Sequence, residues 1–391
     1  MNRSIHEPDS RVENLRVAAL DSARVAGLTH KFYRYPARFS PAFAATAIRE
    51  FSRHGDLVLD PYMGGGTTIV EALALGREAA GSDLNSLATF VTRVKTTPLT
   101  AIDRSALKLW SDRVVPALSY WATPDELASV ICERRTTNLN LPMARPIKKV
   151  LALALLSLDD LPSNRARDFA RCAMLNAGQW ALNGRKRSTP LPEFRDALSR
   201  TVGQMLEGLT AFERLLATSD RGAPSRHLIN DSAANLAGHE PFISQKASLI
   251  VTSPPYPGIH MLYHRWQVDG RRESAAPYWL ASCHDGQGAA FYNFADRRDN
   301  AIDQYFSESL RTLKGIRSVA KKGAHLVQMI AFSNPKTHLP RYLETLDQAG
   351  FAAVQDTGGP IFRRVPGRRW HASLKGALNG SREVVLIHRA I

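Results

Sequence analysis

Along the first hundred residues, short apolar runs closed by glycine, proline or aspartate alternate with longer stretches of helical spacing. A helix is expected over Val12–Ala26 and another over Phe43–Phe51, the second ending before Arg53-His54-Gly55-Asp56. Leu57-Val58-Leu59 reads as a buried strand, bounded by Asp60-Pro61 and Gly64-Gly65-Gly66. A helix over Thr67–Leu75, capped by Gly76, and a strand over Ala79–Ser82 follow. Strand, glycine turn, helix, strand is a βαβ unit, which predicts a parallel sheet with helices on both faces.

From Ile102 to Leu216 the pattern becomes helical. Leu107–Val115, Leu127–Glu133, Ile147–Leu158, Ala166–Ala177 and Phe194–Leu216 carry apolar residues at three- and four-residue spacing. At roughly a hundred residues this is too long for a plain loop. Strands resume at Ala247–Thr252 and His325–Met329, with helices at Ala301–Val319 and His338–Ala349; Phe351–Asp356 and Glu383–His388 read as closing strands. The expectation is an α/β core in two parts, residues 1–100 and 226–391, split by a helical insertion at 101–225.

Composition changes the picture in one respect. The 391 residues are 44% hydrophobic and 22% charged, as in ordinary folded proteins. No run reaches the eighteen or so apolar residues of a membrane span. The first residues hold no apolar h-region, so no secretion signal is expected. Three dispersed cysteines, Cys132, Cys172 and Cys283, suggest neither disulfides nor a metal, and fit a reducing cytoplasm. The net charge of +15 is the departure. It favours a polyanionic partner, although a simply basic protein would show it too.

Asp60-Pro61-Tyr62-Met63-Gly64-Gly65-Gly66-Thr67-Thr68 ends a strand and opens a helix. Glycines let a backbone approach a ligand closely, and the helix start offers free N–H groups. Asp83, twenty-three residues after Asp60, stands where an acid binds ribose hydroxyls at the end of the next strand. The run is neither the dinucleotide fingerprint nor a phosphate loop. Asp60 would repel a phosphate and suits a cationic ligand, so S-adenosylmethionine, with its ammonium and sulfonium, fits. At the end of a later strand, Thr252-Ser253-Pro254-Pro255-Tyr256 joins a stiff Pro-Pro pair to a hydroxyl and an aromatic ring. A hydroxyl and a backbone carbonyl can accept from an exocyclic amine while the ring stacks on a base.

These residues resemble the DNA amino-methyltransferases, which modify cytosine N4 or adenine N6 with S-adenosylmethionine. Asp60–Thr68 is similar to that family's cofactor motif, and Ser253-Pro254-Pro255-Tyr256 to its catalytic tetrapeptide, in the serine form associated with cytosine N4 enzymes. Asn230-Asp231-Ser232 resembles the segment whose acid binds the cofactor's adenine. The run from His30 to Pro41, with Tyr35 and Pro36, resembles the segment that closes over the methionine end. The resemblance implies a Rossmann-like methyltransferase fold. It implies cofactor contacts from Tyr35, Pro36, Asp60, Tyr62, Gly64, Gly66, Thr67, Thr68, Asp83, Asn85 and Asp231. It further implies in-line methyl transfer to the N4 amine of a flipped cytosine in double-stranded DNA, with target recognition in the insertion. The histidines lack ligand spacing, so no metal is expected.

Three basic stretches could face DNA. Arg185-Lys186-Arg187 is a phosphate contact or a solvated loop; Arg265-Trp266 with Arg271-Arg272 is a DNA-facing loop or a core Trp flanked by exposed arginines. The run Phe362–His371, with Arg363, Arg364, Arg368 and Arg369, is the better candidate for a phosphate-contacting loop. Adenine N6 methylation, RNA or tRNA base methylation, and a catalytically silent DNA-binding protein are the alternatives. Partners from a restriction or defence system would fit the leading reading.

Overall fold

The computed structural model describes residues 9–21, 23, 25–35, 39–119, 134–218, 222–256, 265–270, 272–284, 294, 301–332, 334–354, 359–364 (of Arg364 the backbone only) and 382–391. The first part of the chain forms α1 (Ser10–Leu20), α2 (Pro41–Phe51), β1 (Leu57–Asp60), α3 (Thr67–Ala74), β2 (Glu78–Ser82) and α4 (Ser86–Lys95). Helices α5 (Ala101–Leu109), α6 (Arg145–Leu156), α7 (Asn164–Leu182) and α8 (Leu191–Ala217) follow. Then come β3 (Arg226–Ile229), β4 (Ala247–Thr252), β5 (Trp266–Val268), β6 (Arg272–Ser274) and α9 (Ala276–Ala281). The last part is α10 (Ala301–Val319), β7 (Ala320–Ala331), α11 (Pro335–Gln348), β8 (Phe351–Ala353), β9 (Ile361–Arg364) and β10 (Arg382–Ala390).

Local chemistry sets many of the boundaries. The Ser40 hydroxyl accepts the Phe43 N–H and Pro41 occupies the first turn of α2. Thr100 and Asp103 form a reciprocal capping box at α5, and Ser163 caps α7. The main sheet runs β3-β2-β1-β4-β7-β10-β8, with β9 also paired to β10. Strands β3, β2, β1, β4 and β7 are parallel, and β10 is antiparallel to β7, β8 and β9. This mixed, mostly parallel sheet between helical layers is Rossmann-like.

Period-two alternation splits the core in two. Val58, Val251, Val327 and Val385 face the layer containing α1–α4 and the inserted helices. Leu57, Leu59, Ile250, Leu326 and Leu386 face the layer of α10 and α11. The separate β5–β6 hairpin is anchored by Trp266, 1% exposed, whose ring lies against α7 at Gly178.

The sequence expectations differ from the structure in instructive places. The helix expected to Ala26 stops at Leu20, and α5 passes through a π-helical turn at Trp110–Val114. The strand expected at 325–329 begins at Ala320. Strand β3 was not anticipated, because Arg226-His227-Leu228-Ile229 is a half-exposed edge with little apolar alternation. Ile361–Arg364, expected in a loop, is a strand registered on β10. The helix expected at 127–133 lies outside the described residues.

A Cβ at Gly178 would stand 2.5 Å from the Trp266 ring. Gly178→Ala should therefore cost about 1–3 kcal/mol by overpacking and lower the thermal midpoint. Gly203→Ala, on α8 with open space around it, should leave the midpoint unchanged or raise it.

Candidate active site

The carboxyl ends of β1, β2, β3 and β4 lie side by side, placing Asp60, Asp83, Asn230-Asp231 and Ser253 on one edge of the sheet. The chain leaves β1 toward β2 on one side and returns as β4 on the other. Such a reversal of strand order opens a crevice in which α/β proteins bind ligands.

The turn after β1 packs closely on its neighbours. Gly64 and Gly66 have φ of +46° and +73°, and the Gly64 N–H donates to Asp83 Oδ2 at 2.9 Å. A Cβ at Gly66 would meet Thr92 Oγ1 at 2.5 Å, and one at Gly65 would meet the Tyr35 Cβ at 2.9 Å. Tyr35 thus lies directly on the turn; Pro36 lies outside the described residues. Thr67 is buried at the start of α3, and the Thr68 hydroxyl donates to the Val251 carbonyl at 3.1 Å. Thr68 therefore ties α3 to β4 rather than facing the crevice. Asn85 is also redirected. At 3% exposure its amide caps α4, donates to Tyr35 Oη and accepts from Tyr278 Oη.

Three acids stand at these strand ends, two raised by burial and one lowered by its partners. Asp60 is 2% exposed, and its Oδ1 accepts from Thr252 Oγ1 at 2.6 Å and from the Tyr62 N–H at 3.2 Å. Burial pushes its carboxyl up to about 6, against the pull of the Thr252 and Thr68 hydroxyls. Burial likewise pushes Asp83 up to about 6, although the Asn85 and Gly64 N–H groups donate to it. At Asp231, burial pushes upward, but His239, the Ser232 N–H and Asn235 hold the carboxyl below its ordinary value. Those three bonds, at 2.8, 2.6 and 3.0 Å, occupy much of the carboxylate. Tyr62 donates its hydroxyl to Thr312 at 2.8 Å and packs edge-on to Phe294.

Ser253 and Pro255 are half-buried, and Pro254 and Tyr256 buried. Ser253 Oγ lies 3.0 Å from Tyr256 Oη, which donates to Glu383 Oε1 at 3.3 Å. Tyr305 Oη donates to the Pro255 carbonyl at 2.8 Å. Sequence reasoning missed Glu383, Tyr305 and Lys95, whose Nζ donates to the Gly65 carbonyl at 2.5 Å. Only the fold brings these distant positions to the motifs, and no local signal marks them.

The basic stretches separate into two kinds. The Gly184 N–H donates to the Gln267 carbonyl at 2.7 Å, so the β5–β6 hairpin docks beside Arg185-Lys186-Arg187. Lys186, Arg187 and Arg272 are exposed, Arg265 is half-buried, and Arg185 stacks 4.6 Å over the Trp180 ring. Of the two readings of Trp266, the core one holds, because α7 and Tyr33 enclose the ring. Arg363, expected at phosphates, is held inside by Glu383 at 2.7 Å and the Ala19 carbonyl at 2.8 Å. Arg271, Arg368 and Arg369, and the side chain of Arg364, lie outside the described residues.

Residues 15–89, which include the glycine turn and Asp83, match the DNA methylase family model. A type II methyltransferase from Kocuria varians, M.MvaI, is 26% identical over 252 residues, 59% of this chain and 53% of that protein. A second, M.MjaII from Methanocaldococcus jannaschii, is 29% identical over 66 residues, 17% of this chain and 12% of its own. The chain thus spans about half, or less, of the length of these relatives. Together with the fold, these matches support a DNA amino-methyltransferase of the N4/N6 family. Among solved structures, TrmN from Thermus thermophilus aligns with 90% of this chain and 49% of its own at 11% identity, with a TM-score of 0.32.

The buried acids give the protein a pH signature. Asp60 has a folded pKa of about 6 against 3.8 for the free group, so folding favours its protonated form. Its contribution to stability is complete below about pH 4 and is lost as pH rises through about 6. Asp60→Asn should remove that loss, worth up to about 3 kcal/mol. Urea unfolding of both proteins from pH 4 to 7 measures it, and parallel curves would contradict the burial of this acid.

Proposed function

We propose that this chain transfers a methyl group from S-adenosylmethionine to the exocyclic N4 amine of a cytosine flipped out of duplex DNA. The observation that carries the reading is the convergence of the glycine turn and the Ser-Pro-Pro-Tyr segment across one hydrogen bond, Thr252 to Asp60.

The residues present fit the cofactor. Asp83 faces the turn at the end of β2 and suits ribose hydroxyls, and Asp231 stands at the next strand end. Gly64 and Gly66 let the turn pack directly against Tyr35 and Thr92, and Tyr35 covers it. Bound there, S-adenosylmethionine supplies an electrophilic methyl on a cationic sulfur. The chain's own work is positioning. Ser253 Oγ and the Pro254 carbonyl accept the two amine hydrogens, which turns the nitrogen lone pair out of conjugation with the ring. Tyr256 borders the base, and in-line placement lowers much of the barrier.

The helical module at 101–225, with the hairpin docked on it, is proposed as the region that meets DNA. Two basic segments far apart in sequence become one surface there, through Gly184 and Gln267. Such a surface neutralises phosphates without reading sequence by itself. The choice of cytosine rests on the serine form of the tetrapeptide. Methylation inside the cell, next to any restriction partner, is part of the same proposal; no helix among the described residues is long and apolar enough to cross a membrane.

Expression in a methylation-free bacterial host, with single-molecule genome sequencing and nucleoside mass spectrometry, should reveal N4-methylcytosine at a fixed motif. N6-methyladenine there would keep the enzyme class and change the base, whereas methylation confined to RNA would overturn the DNA reading. Ser253→Ala should lower turnover by about a hundredfold or more while cofactor affinity stays near wild type. Reversing Arg185, Lys186 and Arg187 to glutamate should flatten the salt dependence of DNA binding by about two to three in the log–log slope. Binding titrations at several salt concentrations measure it, and an unchanged slope returns the cluster to a solvated loop.

A further inference from the structure

We infer that Glu383, held by Arg363, fixes the direction of the hydrogen bonds at Ser253, so that the site accepts from an amine and opposes a carbonyl. The inference rests on the proposed role of Ser253 at the target base and assigns Glu383 as a positioning residue.

Glu383 lies in β10, 1% exposed, directly opposite Arg363 of β9 in the strand register. Arg363 Nε donates to Glu383 Oε2 at 2.7 Å, and Arg363 Nη1 donates to the Ala19 carbonyl at 2.8 Å. A buried carboxylate paired in this way has no hydrogen to give and acts only as an acceptor. The other oxygen, Oε1, accepts from Tyr256 Oη. A phenol has one hydrogen, so the lone pairs of Tyr256 Oη face Ser253 Oγ at 3.0 Å. Ser253 must then donate its own single hydrogen to Tyr256.

What remains on Ser253 Oγ is acceptor capacity alone. A ligand meeting that atom from the crevice must present a donor, as the amines of cytosine N4 and adenine N6 do. The ring carbonyl at the equivalent position of thymine or uracil would face it lone pair to lone pair. Polar sites that leave a group unpaired reject the mismatched ligand strongly. The sheet thus transmits a direction from an ion pair through a tyrosine to the hydroxyl at the reacting end.

The test is single-turnover methyl transfer on duplex DNA carrying the motif found in the wild-type methylome, with S-adenosylmethionine affinity measured by calorimetry. Glu383→Gln keeps the shape but can donate as well as accept, which releases the direction. Its rate should fall about ten- to a hundredfold while cofactor affinity stays within about twofold. Tyr256→Phe should show a loss of similar size, and Tyr256→Phe with Glu383→Gln should be no slower than Tyr256→Phe alone. In a Ser253→Ala background, Glu383→Gln should leave the residual rate unchanged, which a general structural defect would not. A Glu383→Gln rate within about twofold of wild type, or an equal loss in the Ser253→Ala background, overturns the inference. If Glu383→Gln does not fold, Tyr256→Phe carries the test, and a wild-type rate in that variant overturns it. A wild-type protein that methylates no nucleic acid removes the functional reading and this inference with it. An active wild type with an indifferent Glu383→Gln removes this inference only.

Discussion

The parallel pairing of β1 with β4 is the constraint from which the rest of the site follows. It sets two loops side by side although their residues, Asp60 and Thr252, are 192 positions apart. Backbone ladder bonds fix the strand directions, and both loops therefore emerge at the same edge. The Thr252 hydroxyl then closes the gap onto Asp60, and the Thr68 hydroxyl does the same from α3 to Val251. The Thr252 hydroxyl lets a carboxyl sit where water scarcely reaches, and burial still raises its pKa. The glycine turn and the Ser-Pro-Pro-Tyr segment are held in register by these buried contacts.

Much of this was legible in the chain. Leu57-Val58-Leu59 followed by Asp60 and three glycines announced a strand, a turn and a helix, because buried parallel strands are short and wholly apolar. Asp83 was singled out by its distance from Asp60, and its carboxylate accepts the Gly64 N–H. Helices α7 and α8 were visible because sustained apolar periodicity over many residues is a strong signal. Strand β3 and the β5–β6 hairpin were not visible. Three or four residues are too few to show alternation, and their partners are chosen by the fold.

Arg363 and Trp266 are enclosed for one physical reason. Arginine and tryptophan have long, two-natured side chains, and sequence alone does not reveal which end of them is in water. Trp266 stands among arginines in the sequence yet is packed on Gly178, and Arg363 belongs to an arginine-rich run yet is enclosed with Glu383. Thr68 and Asn85 lie within the motifs expected at the cofactor, and their polar atoms hold those segments together. A motif marks a neighbourhood, and the fold decides which of its atoms face outward.

The strand order also bears on how the molecule is made. Helices α5–α8 separate β2 from β3 and delay β4 until residue 247. During synthesis, β1 and β2 leave the ribosome with one flank of β1 unpaired while more than half of the chain is still to come. The neighbour that covers that flank, β4, arrives only after the whole helical module has emerged, and β10 arrives last. Closing loops of that length makes such pairings slow. The nascent protein must keep an open β edge solvated or shielded for that interval.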